Sequence, residues 1–325
     1  MRCIPHTVVL LLCCTIACFA SAEHRCIFDK IARKAGTPTT VVVREVPHQR
    51  SSGEQAMAIS SSTWETMRFR VFTEDIENSS RYCTSASDVR PDFTGDIVQC
   101  TEGDVLTSAM RSAIMDRLIP QAVQMHVDRL HVLRTGGNIV VPTYTGLCGE
   151  FTIPSDHHTV GVSNADMVSY AAAGPTSGST LAWATTCSAL IIGRPVVGVM
   201  NFGAQVATDT EHNVRVATHE IAHALGFSID ALMVHTSLVA MPGLRGKNSV
   251  LVVASPRTLE KTRANFNCST APGMELEDEG GSGTALSHWG RRNAKDHGIL
   301  LSLLERRREE QSRTVTSDFL AHGFF

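Results

Sequence analysis

The chain has 325 residues, 43% of them hydrophobic and 19% charged, with a formal net charge of −3. That apolar content excludes a wholly disordered chain and is ample for one large or two modest packed domains. Because 29 basic residues are outnumbered by 32 acidic ones, general nucleic-acid binding is excluded as well.

Residues 1–22 read as an export signal. Arg2 gives a small positive start, Thr7 to Phe19 is nearly all apolar, and Ala20-Ser21-Ala22 supplies a small-residue cleavage site. The run is too short for a bilayer span, which takes about 20 apolar residues. No later run is longer, and the ending Leu320 to Phe325 has no hydrophobic tail of the lipid-anchor kind. The mature chain is therefore expected in the secretory pathway, secreted or at the cell surface, with no transmembrane segment.

An oxidising compartment favours disulfides. Of ten cysteines, Cys3, Cys13, Cys14 and Cys18 lie in the signal, and no CxxC occurs among the others. The simplest pairing is Cys83–Cys100 and Cys148–Cys187, which leaves Cys26 and Cys268 over. Asn78-Ser79-Ser80 and Asn267-Cys268-Ser269 are glycosylation sequons, meaningful only in an exported chain.

Glu23 to about Ser60 reads as a loosely structured leader, closed by a Ser/Gln/Glu-rich stretch suited to a cleavable linker. Met67 to Phe72 alternates as a strand does. From Asp104 to Leu118 apolar residues recur at helical spacing, and Pro120 suits the first position of a second helix running to about Leu133. Gly136-Gly137 marks a turn and Ile139 to Val141 a short strand. Val160 to Tyr170, Leu181 to Thr186 and Val196 to Phe202, the last expected to be fully buried, follow as strands. Asn213 to Leu225 is predicted helical, stopped at Gly226, and Phe227 to Gly273 irregular. Strands interleaved with long helices predict an α+β fold.

The helix at 213–225 carries Thr218-His219-Glu220-Ile221-Ala222-His223, an HExxH pattern. Residues four apart on a helix share a face, so both imidazoles can reach one zinc ion. Glu220 then lies beside the open coordination position, placed to act as general base. A third protein ligand is required. The compact HExxHxxGxxH spacing would put it at Ile229, which cannot ligate. His288 and the carboxylates of Glu275, Glu277, Asp278 and Glu279 remain, and the glycine-rich approach Gly280 to Gly283 favours the histidine.

Longer stretches are more specific than HExxH. His24-Arg25-Cys26, Thr73-Glu74-Asp75, Leu118 to Val123, Leu181 to Cys187, Thr218 to Ser228, Arg245-Gly246-Lys247-Asn248 and Glu275 through Asp296 run in consistent order. Together they resemble the leishmanolysin family of trypanosomatid surface metalloproteases over roughly residues 24–296. The resemblance implies a zincin/metzincin-like metalloprotease with a mixed sheet and an HExxH active-site helix. It implies one zinc ion held by His219, His223 and His288, with Glu220 as base, and protein or peptide substrates. It also implies a zymogen in which Cys26 takes the open zinc position. Host or surface proteins enter as partners through the resemblance alone. The implied organisation is a propeptide at about 23–60, an N-terminal catalytic subdomain at 61–227 and a central subdomain with the third ligand at 228–296.

Beyond Asp296 the resemblance is expected to stop. Family members continue with a methionine-containing turn, a cysteine-rich region and an anchor signal. Here a divergent tail follows at 297–325, with Leu300 to Leu304 and the charge run Arg306 to Glu310. A frameshift or truncation near residue 296 is predicted. Two functional outcomes follow: an active zinc endopeptidase, or a catalytically impaired relative serving as a secreted binding, adhesion or decoy protein.

Overall fold

The computed structural model describes residues 26–41, 44–45, 59–279 and 285–290. The expected signal segment, most of the Ser/Gln/Glu-rich linker, the glycine run 280–284 and the tail 297–325 lie outside the described residues. Among the described residues, no helix is long and apolar enough to cross a membrane.

The leader departs from expectation. It forms helix α1 (Phe28–Ala35) and strand β1 (Thr39–Val41), with Arg44–Glu45 as β2. Apolar Phe28, Ile31 and Val41 are buried while the charged residues of α1 face outward, so the segment packs like part of the domain. Strands β3 (Ile59–Thr66) and β4 (Phe69–Phe72) follow, then a short helix α2 (Glu74–Glu77) and the pair β5 (Val89–Pro91) and β6 (Ile97–Gln99).

The next helical region is one continuous rod. Helix α3 (Ser108–Ala113) runs through a π-helical stretch, Ile114–Leu118, into α4 (Ile119–Val127). A proline ring inside a helix clashes with the carbonyl four residues back and supplies no N–H. Here the wider π turn takes up the disruption, with Ile119 N donating to Ile114 O, and Pro120 sits in the first turn of α4. The predicted extension to Leu133 is replaced by strand β7 (His131–Thr135), which pairs with β3. Gly137–Asn138 (β8) pairs with β2, and of the predicted strand at 139–141 only an Ile139–Val162 bridge forms.

Three long strands make the centre: β9 (Met167–Ala172), β10 (Ala182–Leu190) and β11 (Pro195–Phe202). The five-stranded sheet has order β1-β10-β11-β9-β4. It is mixed: β10 and β11 are antiparallel, while β1–β10, β11–β9 and β9–β4 are parallel. Alternation with period two feeds two cores. Met167, Ala184, Met200 and Phe202 face the helices, whereas Val168, Tyr170, Trp183 and Val199 face a second core with Ile31, Phe93 and Phe151. Disulfides Cys83–Cys100 and Cys148–Cys187 are both present.

Helix α5 (Glu211–Ala224) lies across the helix-side face of this sheet. The supposedly irregular region that follows has structure: α6 (Ile229–His235), an antiparallel pair β12 (Leu238–Met241) and β13 (Val250–Val253), α7 (Pro256–Asn265) and β14 (Met274–Glu275). Its local signals are Ser228, whose side chain accepts from Ala231 N, and Pro256 in the first turn of α7.

Candidate metal centre

The centre begins with how α5 starts and stops. Thr210 caps its first turn, accepting from Asn213 N. At the other end Gly226 adopts φ 94, Gly226 N donates to His223 O and Phe227 N to Ala222 O. This is a Schellman-type stop, and glycine is needed for its left-handed residue. The turn folds Phe227 O back onto the helix, where it accepts from His223 Nδ1 at 2.7 Å. A carbonyl only accepts, so Nδ1 carries the proton and the lone pair of Nε2 points into the centre.

His288 arrives from the far end of the described chain. Its backbone O accepts from Glu277 N, and a bridge joins the flanking residues Leu276 and Trp289. Ser287 Oγ accepts from Ile229 N at the start of α6, and Trp289 packs edge-on against Phe227 with ring centroids 5.1 Å apart. The second and third histidines are thus linked through one packed corner.

The three imidazoles meet. His219 Nε2 and His223 Nε2 are 3.3 Å apart, His223 and His288 3.1 Å, and His288 and His219 3.2 Å. Cys26 Sγ stands 3.6 Å from His223 Nε2, and all four ligand atoms lie within 4.8 Å of one another. Four donors at tetrahedral angles, with Zn–N about 2.0–2.1 Å and Zn–S about 2.3 Å, have edges of roughly 3.4 Å between nitrogens and 3.5 Å between nitrogen and sulfur. The spacing and the N₃S donor set fit one zinc ion. All four residues are buried, as is Glu220, whose Oε1 is 3.9 Å from His219 Nε2.

Burial pushes the Cys26 thiol up, and the neighbouring Glu220 carboxylate adds to the shift. A cation between the imidazoles acts in the opposite sense. The carboxylates weighed against His288 are elsewhere: Glu275, Asp278 and Glu279 pair with Arg245 and Lys247, and Glu277 accepts from Glu279 N. Cys268 is exposed, and no disulfide joins it to the buried Cys26. Asn78 and Asn267 are both exposed, and Asn78 Oδ1 accepts from the Ser80 hydroxyl of its own sequon.

Two residues were not singled out from sequence. Phe28 lies flat on His223, centroids 4.0 Å apart and planes 7° from parallel. His126 on α4 donates to Thr218 O beside the first ligand. Neither carries a local signature, since each contact joins segments remote in sequence.

The leishmanolysin (peptidase M8) family model matches residues 24–302, running on past Asp296. The chain is 39% identical to a leishmanolysin homolog of Crithidia fasciculata over 250 residues, covering 75% of this chain and 38% of the relative. It is 36% identical to leishmanolysin of Leishmania major over 309 residues, covering 87% and 51%. A leishmanolysin-like peptidase of Drosophila melanogaster is 27% identical over 268 residues, covering 55% and 39%. The chain thus spans about half the length, or less, of these curated relatives. The matched stretch carries every side chain of the converging cluster, and likeness of this extent places the chain in the leishmanolysin family.

Proposed function

We propose that the chain is the catalytic part of a zinc-dependent, metzincin-like endopeptidase, held latent by its own leader. The observation that carries this reading is the convergence of three imidazole Nε2 atoms 3.1–3.3 Å apart, with a buried glutamate beside them. A zinc ion bound there supplies Lewis-acid polarisation of a scissile carbonyl. His219, His223 and His288 hold it, and the Phe227 carbonyl keeps His223 in the ligating tautomer. Glu220 takes the proton of the attacking water and delivers it to the leaving nitrogen.

Cys26 fills the fourth corner and Phe28 covers His223, so substrate enters only after the leader departs. On this reading residues 1–22 are the signal, 23–60 the propeptide, 61–227 the N-terminal catalytic subdomain, 228–296 the central subdomain and 297–325 a divergent tail. The route is secretory, Asn78 and Asn267 are glycan acceptors, and the substrates are proteins or peptides.

The test is peptide cleavage by the leader-freed chain, with and without a chelator, beside Glu220→Gln. Chelation is expected to abolish cleavage, and Glu220→Gln to slow it by at least ~10²-fold with zinc still bound. Cleavage indifferent to both overturns the proposal. A folded, zinc-loaded but inert chain points instead to a secreted binding or decoy role.

A further inference from the structure

The stretch Arg245-Gly246-Lys247 touches no group of the metal cluster, yet its turn is tightly built. Gly243 N donates to Lys247 O at 2.9 Å and Gly246 N to Gly243 O at 3.1 Å. Gly243 and Gly246 have φ 73 and 72, and Arg245 itself sits at φ 58. A non-glycine residue in the left-handed region is held there by its surroundings. Arg245 Nε donates to Glu275 Oε2 and Nη2 to Asp278 Oδ2, both at 2.9 Å. Lys247 Nζ donates to Asp278 Oδ2 at 2.8 Å and to Glu279 Oε1 at 3.1 Å.

The gripped segment, 275–279, is the one that holds the third histidine. Gly290 N donates to Glu275 O, Glu277 N to His288 O and Leu286 N to Glu277 O, each at 2.8 Å. We infer that the Gly243–Lys247 turn is a clamp that positions His288: Arg245 and Lys247 fix the acidic strand, and that strand fixes the ligand's backbone. The inference rests on the metal-centre reading above. Two facts give the clamp its weight. His288 is 65 residues from His223, so tertiary contacts alone hold it in place. The pairs of Arg245 with Asp278 and Glu275 are also partly shielded, with side chains only 23%, 20% and 16% exposed, so solvent and salt screen these two less than open surface pairs. Partners behind a ligand tune metal affinity by about 10–100-fold.

The experiment titrates the full-length chain with Co²⁺, reading the d–d and thiolate charge-transfer bands and measuring affinity by chelator competition. Arg245→Gln and Asp278→Asn are each expected to weaken Co²⁺ binding by about 10–100-fold and to change the d–d envelope. Their double variant should lose less than the product of the two, because the groups act as one unit, and Arg245→Lys should recover part of the affinity. Unchanged affinity and spectrum in a folded Arg245→Gln chain overturns the clamp, as does a fully multiplicative double variant. If Arg245→Gln does not fold, Lys247→Gln beside Asp278→Asn is judged by the same criteria. A parent chain that takes up no cobalt overturns the metal-centre reading, and the clamp with it.

Discussion

His126 ties helix α4 to the ligand-bearing helix by donating from Nε2 to Thr218 O at 2.9 Å. Burial holds its pKa down to about 4, with a smaller contribution from Arg129. The unfolded chain, with an ordinary histidine near 6.5, therefore binds the extra proton first as pH falls. Native stability should drop between about pH 6.5 and pH 4 and this component level off below, costing on the order of 3 kcal/mol in all. His126→Gln, which keeps a donor but does not titrate, is expected to flatten that slope in urea titrations at stepped pH. An unchanged slope would refute the assignment. At this scale the sequence was legible where spacing is local: His219, Glu220 and His223 follow from one helical turn. Spacing alone did not separate His288 from four nearby carboxylates, and only its glycine-rich approach favoured it, because its position depends on contacts across 65 residues. Cys26 could be read only through the family likeness, since a single thiol has no periodicity.

Elements were legible where a period repeats and lost where the chain is short or interrupted. Strand β11 is buried throughout and emerged almost as predicted, and α5 starts two residues earlier and ends one residue earlier than expected. Pro120 read as a helix start, yet the rod passes through it because a π turn widens the hydrogen-bond ladder. Between 227 and 273, β12 and β13 have four residues each, too few for alternation to stand out. Cys83–Cys100 spans the β5–β6 hairpin, whereas Cys148–Cys187 joins segments that strand pairing leaves separate. Cys83–Cys100 closes a separation of 17 residues, and Cys148–Cys187 closes 39 while tying the turn at Gly146–Glu150 to β10. Loop-closure entropy predicts losses of about 3 and about 4 kcal/mol respectively when each pair is replaced by alanine. Urea midpoints of the two double variants test the order, and a larger loss for the shorter loop would show that packing rather than closure decides.

At the scale of the whole molecule the leader is part of the core of the domain. Strand β1 adds in parallel to the edge of β10 over Ser188 to Leu190, Ile31 and Val41 join the second core, and Phe28 covers the His223 ring. The expectation of a loose leader failed because its apolar residues are few and find their partners only in the assembled sheet. The leader is held at two kinds of site, the Cys26 corner and an apolar, hydrogen-bonded seat. Truncating a buried Phe or Ile to Ala costs about 2–5 kcal/mol each, so the seat should outlast loss of the thiol. A chain nicked within residues 46–58 is therefore expected to keep its leader through size exclusion, and to do so in a Cys26→Ser background. Phe28→Ala combined with Ile31→Ala should release the leader once the chain is nicked. The opposite pattern, release by Cys26→Ser and retention by the double alanine variant, would place the hold at the sulfur and make sheet addition incidental to latency.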